Sequence, residues 1–306
     1  MHSLIDLHSH TDFSDGTLSP RALVRHAAER GVSLLAITDH DTVDAFSEAL
    51  PADQALSPGE TLTLLCGVEL STHAEPSERS VHLLAYFPDL PPQGFREWLL
   101  ALQEGRRARN VELLEKLRSL GLDLTWEEVQ SLAQRQIGRP HFAQALLRRG
   151  YVSSLREAFD RYLGEGSAAW VERDEPSLAE ALARVKEAGG LSSLAHPVRI
   201  TRNTHELETF IADHAALGLD AVECFHPEVS PELSEQLIRI VAQLGLGMTG
   251  GSDFHGANKP GIALGTGKDD ALRVPEAVGT WIVQQLSGRR TNQEARCSSA
   301  HSTKQE

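Results

Sequence analysis

Three cysteines in 306 residues, Cys66, Cys224 and Cys297, are too few and too widely spaced for a disulfide framework or a cysteine-rich zinc site. No apolar run is long enough to cross a bilayer, and the first residues lack the basic-then-apolar build of a signal peptide. A soluble cytoplasmic protein with no membrane association and no obligate protein partner is therefore expected. Positive charge is also scarce. The 29 Lys and Arg face 43 Asp and Glu, a formal net charge of −14, which excludes a general nucleic-acid coat. No internal repeat is visible. With thiols set aside, any metal must be held by histidine and carboxylate side chains.

The length is large for one compact domain and small for three, which predicts one large domain with an insertion. Strand-like runs alternate with helical periods from Leu4 to Phe87 and again from Pro176 to Leu286, predicting an α/β fold of parallel strands and crossover helices. Between them, residues 96–173 carry only helical periodicity, with apolar positions such as Val111, Leu114 and Leu117, and read as an inserted all-helical subdomain. This stretch holds 13 basic and 11 acidic residues, so it is relatively basic inside a very acidic frame. The expected organisation is a first barrel part at 1–95, the helical cap at 96–173, a second barrel part at 174–287 and a disordered polar tail at 288–306.

The chemistry gathers at the strand ends. Leu4-Ile5-Asp6-Leu7 runs into His8-Ser9-His10, and in an extended backbone the side chains at i and i+2 point the same way, so both imidazoles can reach one ion. Alone, such a pair is ordinary surface decoration. Here the following strands deliver Asp15 beside the turning Gly16, then His40, Glu69, His82, His196, and finally Asp253 with His255 at the same two-residue spacing. In a sheet of parallel strands alternating with helices, functional side chains meet at the C-terminal strand ends. Such a set predicts a multinuclear metal site. His26, His73, His205 and His214 have no spacing relation to it and are assigned to surface or loop positions.

These segments resemble the PHP (polymerase and histidinol phosphatase) family of metal-dependent phosphoesterases. The resemblance rests on Asp6-Leu7-His8-Ser9-His10 with Ser14-Asp15-Gly16, Thr38-Asp39-His40-Asp41, Gly67-Val68-Glu69, Val81-His82, Ala195-His196-Pro197 and Ser252-Asp253-Phe254-His255, in that order. The chain is similar in particular to small bacterial members with a helical insertion that act on nucleoside 3′,5′-bisphosphates or on short 5′-phosphorylated RNA. The resemblance implies a distorted (β/α)7 barrel. It implies His8, His10, Glu69 and Asp253 on one ion, Glu69 shared with a second ion held by His82 and His196, and a third position at Asp15, His40 and His255. Several members have a histidine where this chain has Asp15, and an oxygen ligand there favours manganese, iron or magnesium over zinc.

The implied activity is hydrolysis of nucleotide phosphate esters by metal-activated hydroxide, first the 3′-phosphate of a nucleoside 3′,5′-bisphosphate such as pAp, alternatively 5′–3′ exonucleolytic cleavage of short 5′-phosphorylated RNA. Two or three divalent cations are expected, and Glu69 is the expected central catalytic carboxylate. The acid for the leaving oxygen is either His226 or a water on the third ion. Arg139 and His141 match a phosphate-contacting Arg-x-His segment of the similar members, Arg106 and Arg109 match only roughly, and Arg199 follows His196-Pro197. For Arg106 and Arg109 a solvated helix face is the alternative. Two other classes stay open: a non-catalytic metal-binding module, against which the unbroken ligand set counts, and an amidohydrolase-type C–N hydrolase. That second class places a bridging lysine where this chain offers Glu69.

Overall fold

The computed structural model describes residues 3–53, 62–74, 79–172 and 174–302. Seven strands form one sheet in sequence order. β1 (Leu4–Asp6), β2 (Val32–Ile37) and β3 (Thr63–Ala74) run parallel, as do β5 (Leu191–Leu194), β6 (Ala221–Phe225) and β7 (Gly247–Gly250). Between the two groups, β4 (Arg79–Phe87) is antiparallel to both neighbours. The wholly parallel sheet expected from the alternation is thus corrected at one strand. A parallel connection needs a crossover of a dozen residues or more, and the gap from Ala74 to Arg79 is too short for one. The reversal has a consequence: the start of β4, where His82 lies, falls at the same edge as the ends of the parallel strands.

Helices cover the outside. α1 (Pro20–Glu29) begins at Ser19, whose hydroxyl accepts from Ala22 N at 3.3 Å, and has Pro20 in its first turn. α2 (Asp44–Asp53) follows β2. The insertion contains α3 (Gln93–Ser119), α4 (Trp126–Gln130), α5 (Arg139–Arg148) and α6 (Leu155–Ala158), the last continuing as a π turn through Leu163. Its own core gathers Leu113, Leu117, Leu124, Val129, Phe142 and Leu146. α3 serves two cores, because Phe95, Leu99 and Leu102 near its start pack instead with β3, β4 and α7 (Leu178–Glu187). A reciprocal Thr125–Glu128 cap starts α4.

After the insertion, α8 (Thr204–Ala216) and α9 (Pro231–Leu244) alternate with the remaining strands, and α10 (Glu276–Ser302) closes the chain. α10 runs on past Gly288 to Ser302, where a disordered tail was expected; residues 303–306 lie outside the described residues. Among the described residues no helix is long and apolar enough to cross a membrane.

The outer strands of the sheet meet. Leu7 N donates to Gly250 O at 3.1 Å, Asp253 N to His8 O and His10 N to Phe254 O, both at 2.9 Å, and Ser9 pairs in parallel with Phe254. Inside, the fully buried Tyr86 hydroxyl donates to Leu7 O at 2.9 Å. The β1–β7 junction depends on Gly251, because a Cβ there would lie 2.3 Å from His8 N and 2.7 Å from Asp6 Oδ1. Backbone cannot step aside as a flexible side chain can. Gly251→Ala should therefore destabilise the fold by about 1–3 kcal/mol in urea denaturation. Gly288→Ala, with nothing within 4 Å of its added carbon, should leave the urea midpoint unchanged or raise it.

Candidate metal centre

The strand ends bring six histidines and two further carboxylates, Asp15 and Asp253, around Glu69, which is 1% exposed. Its Oε1 lies 2.8 Å from His82 Nδ1 and 2.9 Å from His196 Nε2. Its Oε2 lies 3.3 Å from His8 Nε2, 3.2 Å from His10 Nε2 and 3.3 Å from His40 Nδ1. Glu69 sits within β3 rather than at its end, since β3 continues to Ala74. It lies level with the other strand ends all the same, bridged in parallel to His40 just after β2.

Asp253 Oδ1 lies 3.7 Å from His8 Nε2, 3.5 Å from His10 Nε2 and 3.4 Å from His255 Nδ1. Asp15 stands among His255 Nε2 at 3.2 Å, His10 Nδ1 at 3.7 Å and His40 Nε2 at 3.7 Å. Among the described residues five sets of donors are close enough to share an ion, and three of them draw on the strand-end cluster alone: His8, His10 and Glu69; His40, Glu69 and His82; and His10, Asp15, His40 and His255. His10 and His40 each stand in two of them.

The donor set fits divalent cations on a specific observation. His8 Nε2, His10 Nε2, His40 Nδ1 and Asp15 Oδ1 are buried yet make no hydrogen bond. An orphaned buried polar atom is costly, and four around one carboxylate are what ion binding would satisfy. The opposite ring nitrogens are already held. His8 Nδ1 donates to the buried Glu223 Oε1 at 2.9 Å, and His255 Nδ1 to Asp253 O at 2.9 Å. Such outer contacts fix the tautomer and turn the remaining nitrogen toward a metal.

Buried charge governs the protonation of this cluster. Burial opposes ionisation of Glu69, but the imidazoles of His8, His82 and His40 hold it well below the usual carboxylate range. Asp15 is likewise held low against burial by His255 and His40. Burial also works against charge on His10, yet Asp253 and Glu69 push it up to about 10, whereas burial takes His40 down to about 3. Positive charge is thus drawn to the carboxylates, and a divalent ion competes with protons for it.

A layer of carboxylates that are not ligand candidates builds the frame. Asp6 accepts from Ser252 N at 2.9 Å, Ser252 Oγ at 2.5 Å and Gly265 N at 2.7 Å. Asp39 accepts from Thr11 N at 2.7 Å and from the Thr11 and Ser14 hydroxyls at 2.5 Å, which holds the turn carrying Asp15. Asp41, His196 and Asp253 all have φ between 27° and 55°, a left-handed backbone that non-glycine residues avoid. Strain of this kind concentrates at functional sites.

The arginine candidates reach the same cavity, a space of about 370 Å³. Arg106 and Arg109 are buried rather than lying on a solvated helix face. Arg106 is held by Asp41 Oδ2, with Nη2 at 2.5 Å, and by Ser71 Oγ at 2.8 Å. The Arg139 guanidinium lies over the Trp170 ring, 4.8 Å from its centre. Arg199 grips Glu228 with two nitrogens, at 3.0 and 2.6 Å, and reaches Asp253 Oδ2 at 3.1 Å. His141 is not among the residues lining the cavity; it is buried, and its Nδ1 accepts from Gly138 N at 2.9 Å at the start of α5.

His226 is 2% exposed and both its nitrogens are occupied, Nδ1 by Glu228 N at 3.1 Å and Nε2 by Asp253 Oδ2 at 3.3 Å. Sequence reading missed Lys259, whose ammonium lies 2.6 Å from Asp253 Oδ2, and Glu223 behind His8. Neither stands in a motif, although Lys259 follows His255 by four residues. His214, assigned to the surface from the sequence, is 9% exposed and donates to Phe210 O at 2.7 Å within α8.

A model of the PHP domain matches residues 6–190, and the chain belongs to that family. It is 35% identical to the 5′–3′ exoribonuclease Rnm of Escherichia coli, over 95% of this chain and 97% of that one. It is 30% identical to a 3′,5′-nucleoside bisphosphate phosphatase of Chromobacterium violaceum, over 87% and 92%. A solved chain from Bifidobacterium adolescentis, described provisionally as a metal-dependent phosphoesterase, superposes with a TM-score of 0.80 at 32% identity, covering 93% of this chain and 97% of that one.

Adding Mn2+ to chelator-stripped protein should raise its thermal midpoint and release protons, with tighter binding at pH 8 than at pH 6 because imidazole protons compete. Calorimetry in two buffers of different ionisation enthalpy measures that release. Glu223→Gln, which weakens the hold on His8, should lower Mn2+ affinity about 10–100-fold.

Proposed function

We propose that the protein is a metal-dependent phosphoesterase that hydrolyses the 3′-phosphate ester of 5′-phosphorylated nucleotides, with a nucleoside 3′,5′-bisphosphate (pAp to AMP and phosphate) as its first substrate. One observation carries the reading: a buried cluster of ion-binding side chains and four arginines share the wall of one cavity. The relatives that act on such a bisphosphate and on RNA ends support it. Both substrates present a 5′-phosphorylated nucleotide whose 3′-oxygen is esterified to phosphate, so one site can accept either.

In this reading His8, His10, Asp15, His40, Glu69, His82, His196, Asp253 and His255 hold two or three divalent ions, manganese first, with iron, magnesium or zinc as substitutes. The ions supply a water of lowered pKa and positive charge against the phosphoryl oxygens. Glu69 is shared between ions, since its two oxygens face different donor groups. Asp253 presents Oδ1 to the cluster while His226, Arg199 and Lys259 hold Oδ2, so His226 acts by orienting Asp253. Arg139 and Arg109 bind the phosphate remote from the scissile one, and Arg106 is braced by Asp41 beside them. His141 starts α5 and thereby places Arg139. The buried thiols Cys66 and Cys224 suit a reducing compartment, and the reading places the enzyme in the cytoplasm.

The exoribonuclease activity is the second reading, favoured by a larger cavity that adjoins the first. Phosphate release from pAp by the Mn2+-loaded protein tests the first, and cleavage of a 5′-phosphorylated oligoribonucleotide tests the second. Hydrolysis of neither compound would refute the catalytic assignment. Glu69→Gln should lower kcat/KM by at least about 10²-fold. Arg139→Ala should raise KM about 10–100-fold with kcat nearly kept, the signature of lost uniform binding.

A further inference from the structure

In the function proposed above, the ions and the arginines take the two phosphates of a nucleoside bisphosphate, and its base is left without a partner. The cavity they share is lined almost wholly by polar and charged side chains. Among the described residues on its wall, Phe159 carries the one aromatic ring that is not an imidazole, and Pro140 is the one other apolar side chain.

Local structure fixes where that ring stands. Phe159 ends α6 and opens the π turn, which Gly164 N closes by donating to Phe159 O at 2.8 Å. A Cβ at residue 164 would itself lie 2.8 Å from Phe159 O, so glycine is what lets the turn close. Turns of this kind are rare and gather at functional sites. Ala158 and Leu163 are fully buried in the core of the insertion, whereas Phe159 packs against that core and stays half-buried. Ala168 N donates to Arg161 O at 3.3 Å and Ala169 N to Tyr162 O at 3.0 Å, which ties the turn to the segment carrying Trp170, the ring beneath the Arg139 guanidinium. Phe159 and Arg139 are thereby built into one wall from the insertion, while Arg199, Asp253 and Lys259 come from the loops after β5 and β7.

We propose that Phe159 is the platform on which the nucleobase of the substrate stacks, and that this contact distinguishes a nucleotide from other phosphate esters. This names a specificity-determining residue for the function proposed above and rests on it. An aromatic face suits the task, because every base presents a π-face and a bare sugar phosphate presents none. The guanidinium groups, by contrast, hold phosphate whatever it is attached to. The bond broken is unchanged; the ring acts on binding rather than on the chemical step.

The test compares pAp with 1-deoxyribose 3,5-bisphosphate, which keeps both phosphates and lacks the base, on the Mn2+-loaded full chain of the native protein, Phe159→Leu and Phe159→Trp. Leucine keeps the apolar contact with the core of the insertion and removes the ring. In Phe159→Leu, KM for pAp should rise about 5–100-fold with kcat nearly kept, while KM for the base-free compound should move by less than about twofold. Phe159→Trp should bring KM for pAp back to within about threefold of the native value. AMP and ribose 5-phosphate give a readout free of turnover. By calorimetry the native protein should bind AMP about 5–100-fold more tightly than ribose 5-phosphate, and the gap should close in Phe159→Leu. A gap that persists in Phe159→Leu, or an equal loss for pAp and the base-free compound, overturns the inference. If pAp is hydrolysed while AMP binds no better than ribose 5-phosphate, the inference falls and the phosphatase reading stands. If pAp is not hydrolysed, the phosphatase reading falls and the AMP gap alone decides for or against Phe159.

Discussion

The buried carboxylate of Glu69 stays ionised only because positive charge is brought to it, and the ends of the surrounding strands are arranged to bring it. Five imidazoles stand within 3.3 Å of its two oxygens. Asp15 and Asp253 add two further carboxylates to the same poorly solvated space, where buried charge is costly unless it is paired. Three imidazole nitrogens and one Asp15 oxygen there make no hydrogen bond. Divalent ions held there would satisfy those atoms and supply the reagent, which would tie the stability of the mouth to its chemistry.

Holding so many ligands in place needs a stiff frame, and the chain builds it from a second set of acidic side chains. Asp6 and Asp39 spend their oxygens on backbone amides and hydroxyls, locking the loops after β1 and β7 to each other and shaping the turn before Gly16. Glu223 reaches across the barrel to His8 and accepts from His196 N at 2.7 Å. The left-handed backbone at Asp41, His196 and Asp253 is tolerated because these contacts and strand pairing determine it. Glycine at 251 completes the frame by letting two backbones approach where any side chain would intrude.

The helices between β4 and β5 stand over the same mouth. α3 is anchored at one end in the main core and at the other in the core of the insertion, so it carries Arg106 and Arg109 into the mouth as a fixed strut. The residues that line the metal pocket and the larger cavity come from this strut, from the α4–α5 connection and from the loops of the sheet. The candidate ligands thus come from the strand ends of the sheet, and three of the four arginines at the pocket come from the helices between β4 and β5.

The sequence alone determined the order of strands and helices and which His, Asp and Glu residues stand beside strand ends, because each follows or sits in a strand whose apolar run is legible and the two-residue spacing of His8 with His10 and Asp253 with His255 is a local property of extended chain. Tertiary structure decided the rest. That β4 runs backwards, that Arg106 is spent on Asp41, that His226 has no free nitrogen and that Lys259 reaches Asp253 are all outcomes of long-range packing. Local pattern records which way a side chain faces along its own element. Which other element it meets there is set by how the sheet closes and how the insertion folds over it.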